Sequence, residues 1–113
     1  MNFSFGDIYY ADCNPSFGHE YKGKRPVIVV QEESISASSP LVTIIPLITQ
    51  LDQRMAEDII IEKNTLNSLS TDSIIKVRNI QSFDKRRFFF KIGRAESPVI
   101  RKVRGYLRRH FGM

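Results

Sequence analysis

The stretch Arg25-Pro26-Val27-Ile28-Val29-Val30-Gln31 constrains this chain more than any other. Its branched apolar residues follow one another without a polar position for water, so it reads as a strand covered on both faces. Pro26 suits the first rung of such a strand, where no ladder donor is required. A chain with one doubly covered strand must supply neighbours on its edges and layers on its faces. The 113 residues fit a single domain spanning residues 1–113. A domain of that size buries roughly 65% of its unfolded surface and needs no covalent staple.

The remaining segments supply those neighbours. Gly6-Asp7-Ile8-Tyr9-Tyr10-Ala11 reads as a first strand entered at a glycine turn. Asn14 to Lys24 carries Pro15, Gly18 and Gly23 and reads as a long loop. Glu32 to Pro40 is a Ser-rich connection with room for a helical turn. Leu41 to Leu47 is the next strand, and Pro46 places an edge or a bulge near its end. Asp58 to Glu62 is a short strand with acidic ends. From Ile75 to Gln81 the pattern alternates, which predicts one strand with Ile75, Val77, Asn79 and Gln81 on one face and Lys76, Arg78 and Ile80 on the other. Phe88-Phe89-Phe90 fits either a strand or the core of a turn.

Ser97-Pro98 marks a helix start, with Ser as N-cap and Pro at N1. Val99, Ile100, Val103, Leu107 and Phe111 then share one face. Five or so mostly antiparallel strands and one closing helix predict a mainly β chain with helices (α+β). The architecture is a small, partly open β-barrel plugged by helices.

The net charge of +5 is unevenly spread: Lys85 to Met113 holds ten Lys or Arg and one acid, Glu96. This asymmetry points to a polyanion or an acidic protein as partner, or to a solvated basic helix that keeps the protein soluble. The lone Cys13 excludes an internal disulfide and suits a reducing compartment. With no base near it in sequence, Cys13 reads as a buried structural thiol. Met1 to Cys13 lacks a basic start and is interrupted by Asp7 and Asp12, unlike a secretory signal. No apolar run approaches the roughly 20 residues of a membrane helix. A soluble, cytoplasmic protein is the expectation. His19 and His110 lie far apart and no closely spaced ligand set occurs, so neither a metal nor another cofactor is expected. No Gly-rich nucleotide loop is present.

Several motifs, taken together, carry a family resemblance. Gly6-Asp7-Ile8, Asn14-Pro15, Gly18-His19-Glu20, Gly23 and Arg25-Pro26-Val27-Ile28-Val29-Val30 resemble the N-terminal signature of the MazF/PemK-like toxins. Pro46-Leu47-Ile48-Thr49, Asp72-Ser73-Ile74-Ile75 and Asn79-Ile80-Gln81-Ser82-Phe83-Asp84-Lys85-Arg86-Arg87 continue it in the family's order. The resemblance implies an SH3-like plugged barrel and a homodimer. It also implies a sequence-specific, metal-independent endoribonuclease that cuts single-stranded RNA (mRNA), with an acidic antitoxin as partner.

By the resemblance, Arg25 and Thr49 match catalytic positions. Arg25 keeps its charge at any ordinary pH, so at a strand mouth it can hold a phosphate whose charge grows in the transition state. Thr49 would donate a hydrogen bond to the same phosphate. The alternatives are an ion pair of Arg25 with Glu20 or Asp12, and an ordinary turn role for Thr49. One branch of the family uses an Arg and an Asp two residues apart in the later strand. Here those positions are Lys76 and Arg78, which are left with phosphate binding or a basic strand edge. His19 matches that branch's loop His and is a candidate proton carrier. Glu20 is a candidate base or orienter of Arg25.

Asn79, Gln81 and Ser82 offer groups that read base edges. Phe17 and Tyr21 offer rings for base stacking, or anchors for their own loop. Two other readings stay open: a basic barrel that binds nucleic acid without cutting it, and a gyrase poison of the related CcdB type. The ending His110-Phe111-Gly112-Met113 does not resemble that of the CcdB group.

Overall fold

Val27, Ile28 and Val29 are fully withdrawn from solvent in a computed structural model that describes all 113 residues. They belong to β2 (Lys24–Val29), which lies between β1 (Asp7–Asp12) and β3 (Leu41–Ile48). Burying each of these side chains contributes roughly 1.5–3 kcal/mol. The other strands are β4 (Ile59–Ile61), β5 (Ser73–Ile75), β6 (Gln81–Asp84) and β7 (Phe88–Arg94). A one-and-a-half-turn helix, α1 (Glu33–Ser38), joins β2 to β3, and α2 (Ser97–His110) ends the chain's regular structure.

All pairings are antiparallel, in the order β4-β5-β3-β2-β1-β7, with β6 branching from β3. The seven-stranded sheet is not closed, since its end strands β4 and β7 do not pair with each other. This agrees with the expected mainly β fold, partly open and plugged by a C-terminal helix. One face carries Ile8, Ile28, Ile45, Leu47 and Ile75, against which Val99, Val103 and Tyr106 of α2 pack. The other carries Tyr9, Ala11, Val27, Val29, Val42 and Ile44, closed by Phe3, Phe83 and Phe88.

Several details differ from the sequence reading. The alternating stretch Ile75–Gln81 is two strands, because the chain leaves the sheet at Lys76 and turns, with Asn79 N–H bonded to Lys76 O. The alternation misleads because Lys76 is only 4% exposed, held by a buried acid. The helix includes Ser97, so Glu96 takes the N-cap position without a side-chain bond. Phe111 lies past the last helical residue, where the chain turns off, and is exposed rather than on the core face.

Pro46 sits within β3, at neither an edge nor a bulge. β3 pairs with β6 from Leu41 to Ile44 and with β5 from Leu47 to Ile48. Pro46 falls at the handover, where its carbonyl accepts Lys76 N–H at 3.1 Å and its missing N–H leaves no rung unfilled. Gly93 fills a second tight place. A Cβ there would stand 2.5 Å from the carbonyl oxygens of Leu66 and Asn67.

Candidate functional site

Arg25 projects from the second residue of β2 into a cleft of about 310 Å³. Tyr10, Lys24, Pro26, Leu47, Ile48, Thr49 and Gln50 complete its lining, so the structure brings Arg25 and Thr49 together. The reason is the β2–β3 register. Val27 pairs with Pro46, and continuing by two residues sets Arg25 across from Ile48, next to Thr49.

The guanidinium is fixed without an acid. Nε and Nη2 donate to Lys22 O at 3.3 and 2.9 Å, and Nη1 reaches Leu47 O at 3.4 Å. The Tyr21 ring lies against it, 5.2 Å from centroid to guanidinium carbon. Neither Glu20 nor Asp12 forms an ion pair with it. A guanidinium has five N–H groups, so two remain undirected after these contacts. A positively charged group that is positioned yet unneutralised attracts an anion.

The loop between β1 and β2 is built from its own polar side chains. Glu20 accepts the Phe17 N–H at 2.8 Å, so its carboxylate shapes the loop rather than orienting Arg25. Asn14 Oδ1 accepts Gly23 N–H at 3.1 Å. Arg87 donates to the carbonyls of Asp12 and Asn14 and so anchors the loop's first residues. The neighbouring Asp84 carboxyl is held below its usual range by the side chain and N–H of Arg86. The Asp84–Arg87 motif therefore acts on the loop's position. His19 and Phe17 are exposed at the tip, Phe17 by 78%.

Burial pushes the Cys13 thiol up, opposed by the nearby Arg25 charge. Cys13 is buried, as its reading as a structural thiol requires.

The other expected site residues divide. Asn79 spends its amide on His19 O at 3.3 Å, linking the loop to the turn after β5. Ser82 Oγ lies 3.2 Å from Thr43 Oγ1, which donates to Gln31 Oε1 at 3.0 Å. Gln81 pairs with Ile44, roughly 13 Å along β3 from the Arg25 position at 3.3 Å per residue. The base-reading candidates thus flank the cleft rather than line it.

Lys76 leaves the phosphate-binding set. Its ammonium is buried 2.6 Å from Asp58 Oδ2 and cannot meet RNA. Arg78 is exposed and lies near Tyr106, whose hydroxyl is pushed up by burial and the Glu57 charge and lowered in turn by Arg78.

Sequence reasoning missed Tyr10, Lys24 and Gln50 as cleft walls. Only the strand register places them there. A second cleft of about 340 Å³ adjoins the first and shares Tyr10, Pro26 and Thr49 with it. The largest cavity, about 450 Å³, lies between α2 and residues 54–60 and holds neither Arg25 nor Thr49. Its wall mixes Glu57 and Asp58 with Arg54, Lys102 and Arg109, and both acids are already ion-paired.

The basic C-terminal third is partly neutralised by acids from elsewhere. Arg86, Lys91, Arg94, Arg104 and Arg109 all have carboxylate partners. Arg101, Lys102 and Arg108 stay exposed on α2 without one.

Comparison with known proteins bears on the fold and the family. Endoribonuclease EndoA of Bacillus subtilis (strain 168) is 29% identical over 98 residues, covering 87% of this chain and 84% of that protein. MazF from Deinococcus radiodurans superposes with a TM-score of 0.86 at 21% identity, covering 100% of this chain and 99% of that one. A MazE–MazF structure from the same organism gives 0.78 at 21% identity, with 100% and 98% covered. Residues 4–111 match the model of the PemK-like, MazF-like toxins of type II toxin–antitoxin systems, and the chain belongs to that family.

Proposed function

We propose that this chain is the toxin of a type II pair and a metal-independent, sequence-specific endoribonuclease acting on single-stranded RNA, mRNA in the cell. The observation that carries the reading is Arg25, fixed by carbonyls and a ring, unpaired, beside Thr49. In the reaction the 2′-oxygen attacks the adjacent phosphorus and loses its proton. The phosphorus–O5′ bond breaks, and the departing 5′-oxygen takes up a proton. The products are a 2′,3′-cyclic phosphate and a 5′-hydroxyl. Arg25 holds the non-bridging oxygens as their charge grows, without reorganising. Thr49 donates its hydroxyl to the same phosphate. Phe17 and the exposed edge near Gln81 and Ser82 meet flanking bases.

The partners follow from charge and family. The exposed cations Arg101, Lys102 and Arg108, with the Arg25 cleft, suit an acidic antitoxin segment. A homodimer in the cytoplasm completes the reading. No helix is long and apolar enough to cross a membrane.

Incubation with a long mixed-sequence RNA in EDTA, followed by mapping of 5′ ends, tests the activity. Cuts at one short word with 5′-hydroxyl ends are expected. Cleavage that EDTA abolishes and Mg²⁺ restores overturns the mechanism, and RNA bound but uncut leaves a binding protein. Light scattering checks the dimer. Titration with the acidic partner should suppress cleavage, less so as salt rises.

A further inference from the structure

The edge formed by β1 and β7 carries three aromatic rings that the reading above does not use. Tyr10 pairs with Phe90 and Ala11 with Phe88, so Phe89 is an extra residue in β7. Ile92 is a second, between the Ile8–Gly93 and Tyr9–Lys91 pairs. A bulge leaves two residues opposite one, re-aims a side chain and sharpens the local twist. Here it sets both Phe89 and Phe90 beside Tyr10, at centroid distances of 6.0 and 5.5 Å. The Tyr10 and Phe90 rings are nearly parallel, at 22°. Phe89 and Phe90 are nonetheless 43% and 56% exposed. Lys24 Nζ stands 5.3 Å over the Phe89 ring.

This row of rings is continuous with the Arg25 cleft. Tyr10 lines that cleft and also the neighbouring one, whose lining includes Phe90. The second cleft is otherwise rich in hydroxyls, from Ser68, Ser70, Thr71 and Ser73. Exposed ring faces, a cation at their rim and hydroxyls within reach match a nucleotide's base, phosphate and base edge respectively.

We propose that the Tyr10–Phe90 surface, with Phe89 and Lys24 at its rim, is a base-stacking subsite for a nucleotide of the RNA that flanks the one cleaved at Arg25. It rests on the nuclease reading and extends it along the strand. Phe90 offers the outer ring face, Tyr10 backs it, and Lys24 meets the adjoining phosphate.

The test uses the full chain and two RNAs centred on the mapped cleavage word. One is just long enough to contain the word, and the other is extended on both sides. Each carries a 2′-deoxy sugar at the cut to prevent turnover. Wild-type protein should bind the longer RNA more tightly, by roughly 5- to 150-fold for one stacked base. Phe90→Ala should erase most of that gap and Phe90→Tyr should keep it. Phe90→Leu, apolar but without a ring face, should not restore it. 2-Aminopurine in the extension should be quenched by wild type and not by Phe90→Ala.

A gap that is absent in wild type or survives Phe90→Ala overturns the subsite, as does full restoration by Leu. A drop in molecular mass by light scattering on Phe90→Ala also overturns it, by making the patch a contact between copies. Failure of wild type to cleave any RNA overturns the nuclease reading, and the subsite with it. That outcome is distinct from a wild type that cuts yet shows no dependence on Phe90.

Discussion

Lys76 Nζ lies 2.6 Å from Asp58 Oδ2, with the two side chains 5% and 2% exposed. The ammonium also donates to Gln53 O at 3.1 Å, and the same carboxylate oxygen accepts Met55 N–H at 3.0 Å. The pair ties the end of β5 to the segment that follows Thr49.

Lys76→Met should therefore destabilise the fold by about 3–5 kcal/mol, because Asp58 is left as an unpaired buried charge. Lys76→Met with Asp58→Leu should recover most of the loss. Urea unfolding measures both. Weakened RNA binding by Lys76→Met at unchanged stability would show that the lysine serves the ligand after all.

Arg25→Ala should lower the cleavage rate by on the order of 10²–10³. Arg25→Lys should not restore it, since an ammonium lacks the planar fork. Both variants should melt near the wild-type temperature, because Arg25 neutralises no carboxylate. A collapse of the melting temperature would make Arg25 a structural residue.

Thr49→Val keeps the shape and removes the hydroxyl. A hydrogen bond to a charged oxygen is worth roughly 1.5–3 kcal/mol, so kcat/KM should fall about 10- to 150-fold. Thr49→Ser should retain most activity. Equal rates for Val and Ser variants would take the hydroxyl out of the reaction.

Burial raises the Cys13 thiol above the ordinary thiol value of 9.0. The folded state therefore holds that proton more tightly than the unfolded chain does. This contribution to stability is complete below pH 9.0 and is lost as pH climbs through the higher folded value. Thiol reagents should label native Cys13 slowly near neutral pH. The stability of Cys13→Ala, followed by urea unfolding between neutral and alkaline pH, should decline less than that of wild type.

The sequence made β2 and α2 legible for different reasons. An unbroken run such as Val27–Val30 admits few environments, and Ser97-Pro98 followed by Val99, Val103 and Leu107 admits one helical face. Arg25 and Thr49 were legible through motif and became a cleft only through register. Lys76 was misread because a buried lysine and an exposed one look alike until the partner, Asp58, is placed. The bulge at Phe89 left no signature, since three consecutive phenylalanines satisfy a strand of either phase.

Pro46 has a further consequence, for the uniqueness of the fold. β5 and β6 lie on the same edge of β3, β6 pairing from Leu41 to Ile44 and β5 from Leu47 to Ile48. In an antiparallel strand a residue's N–H and C=O face the same neighbour, and Pro46 O faces the turn after β5. Its nitrogen therefore offers no donor on the side of β3 that the two strands share, at the rung where Lys76 N–H alone makes the bond. The alignment is enforced by an atom that is absent. Pro46→Val should restore that rung at small thermal cost. It should admit a second alignment, visible as doubled amide signals for Ile75 and Gln81 rather than as a lower melting point.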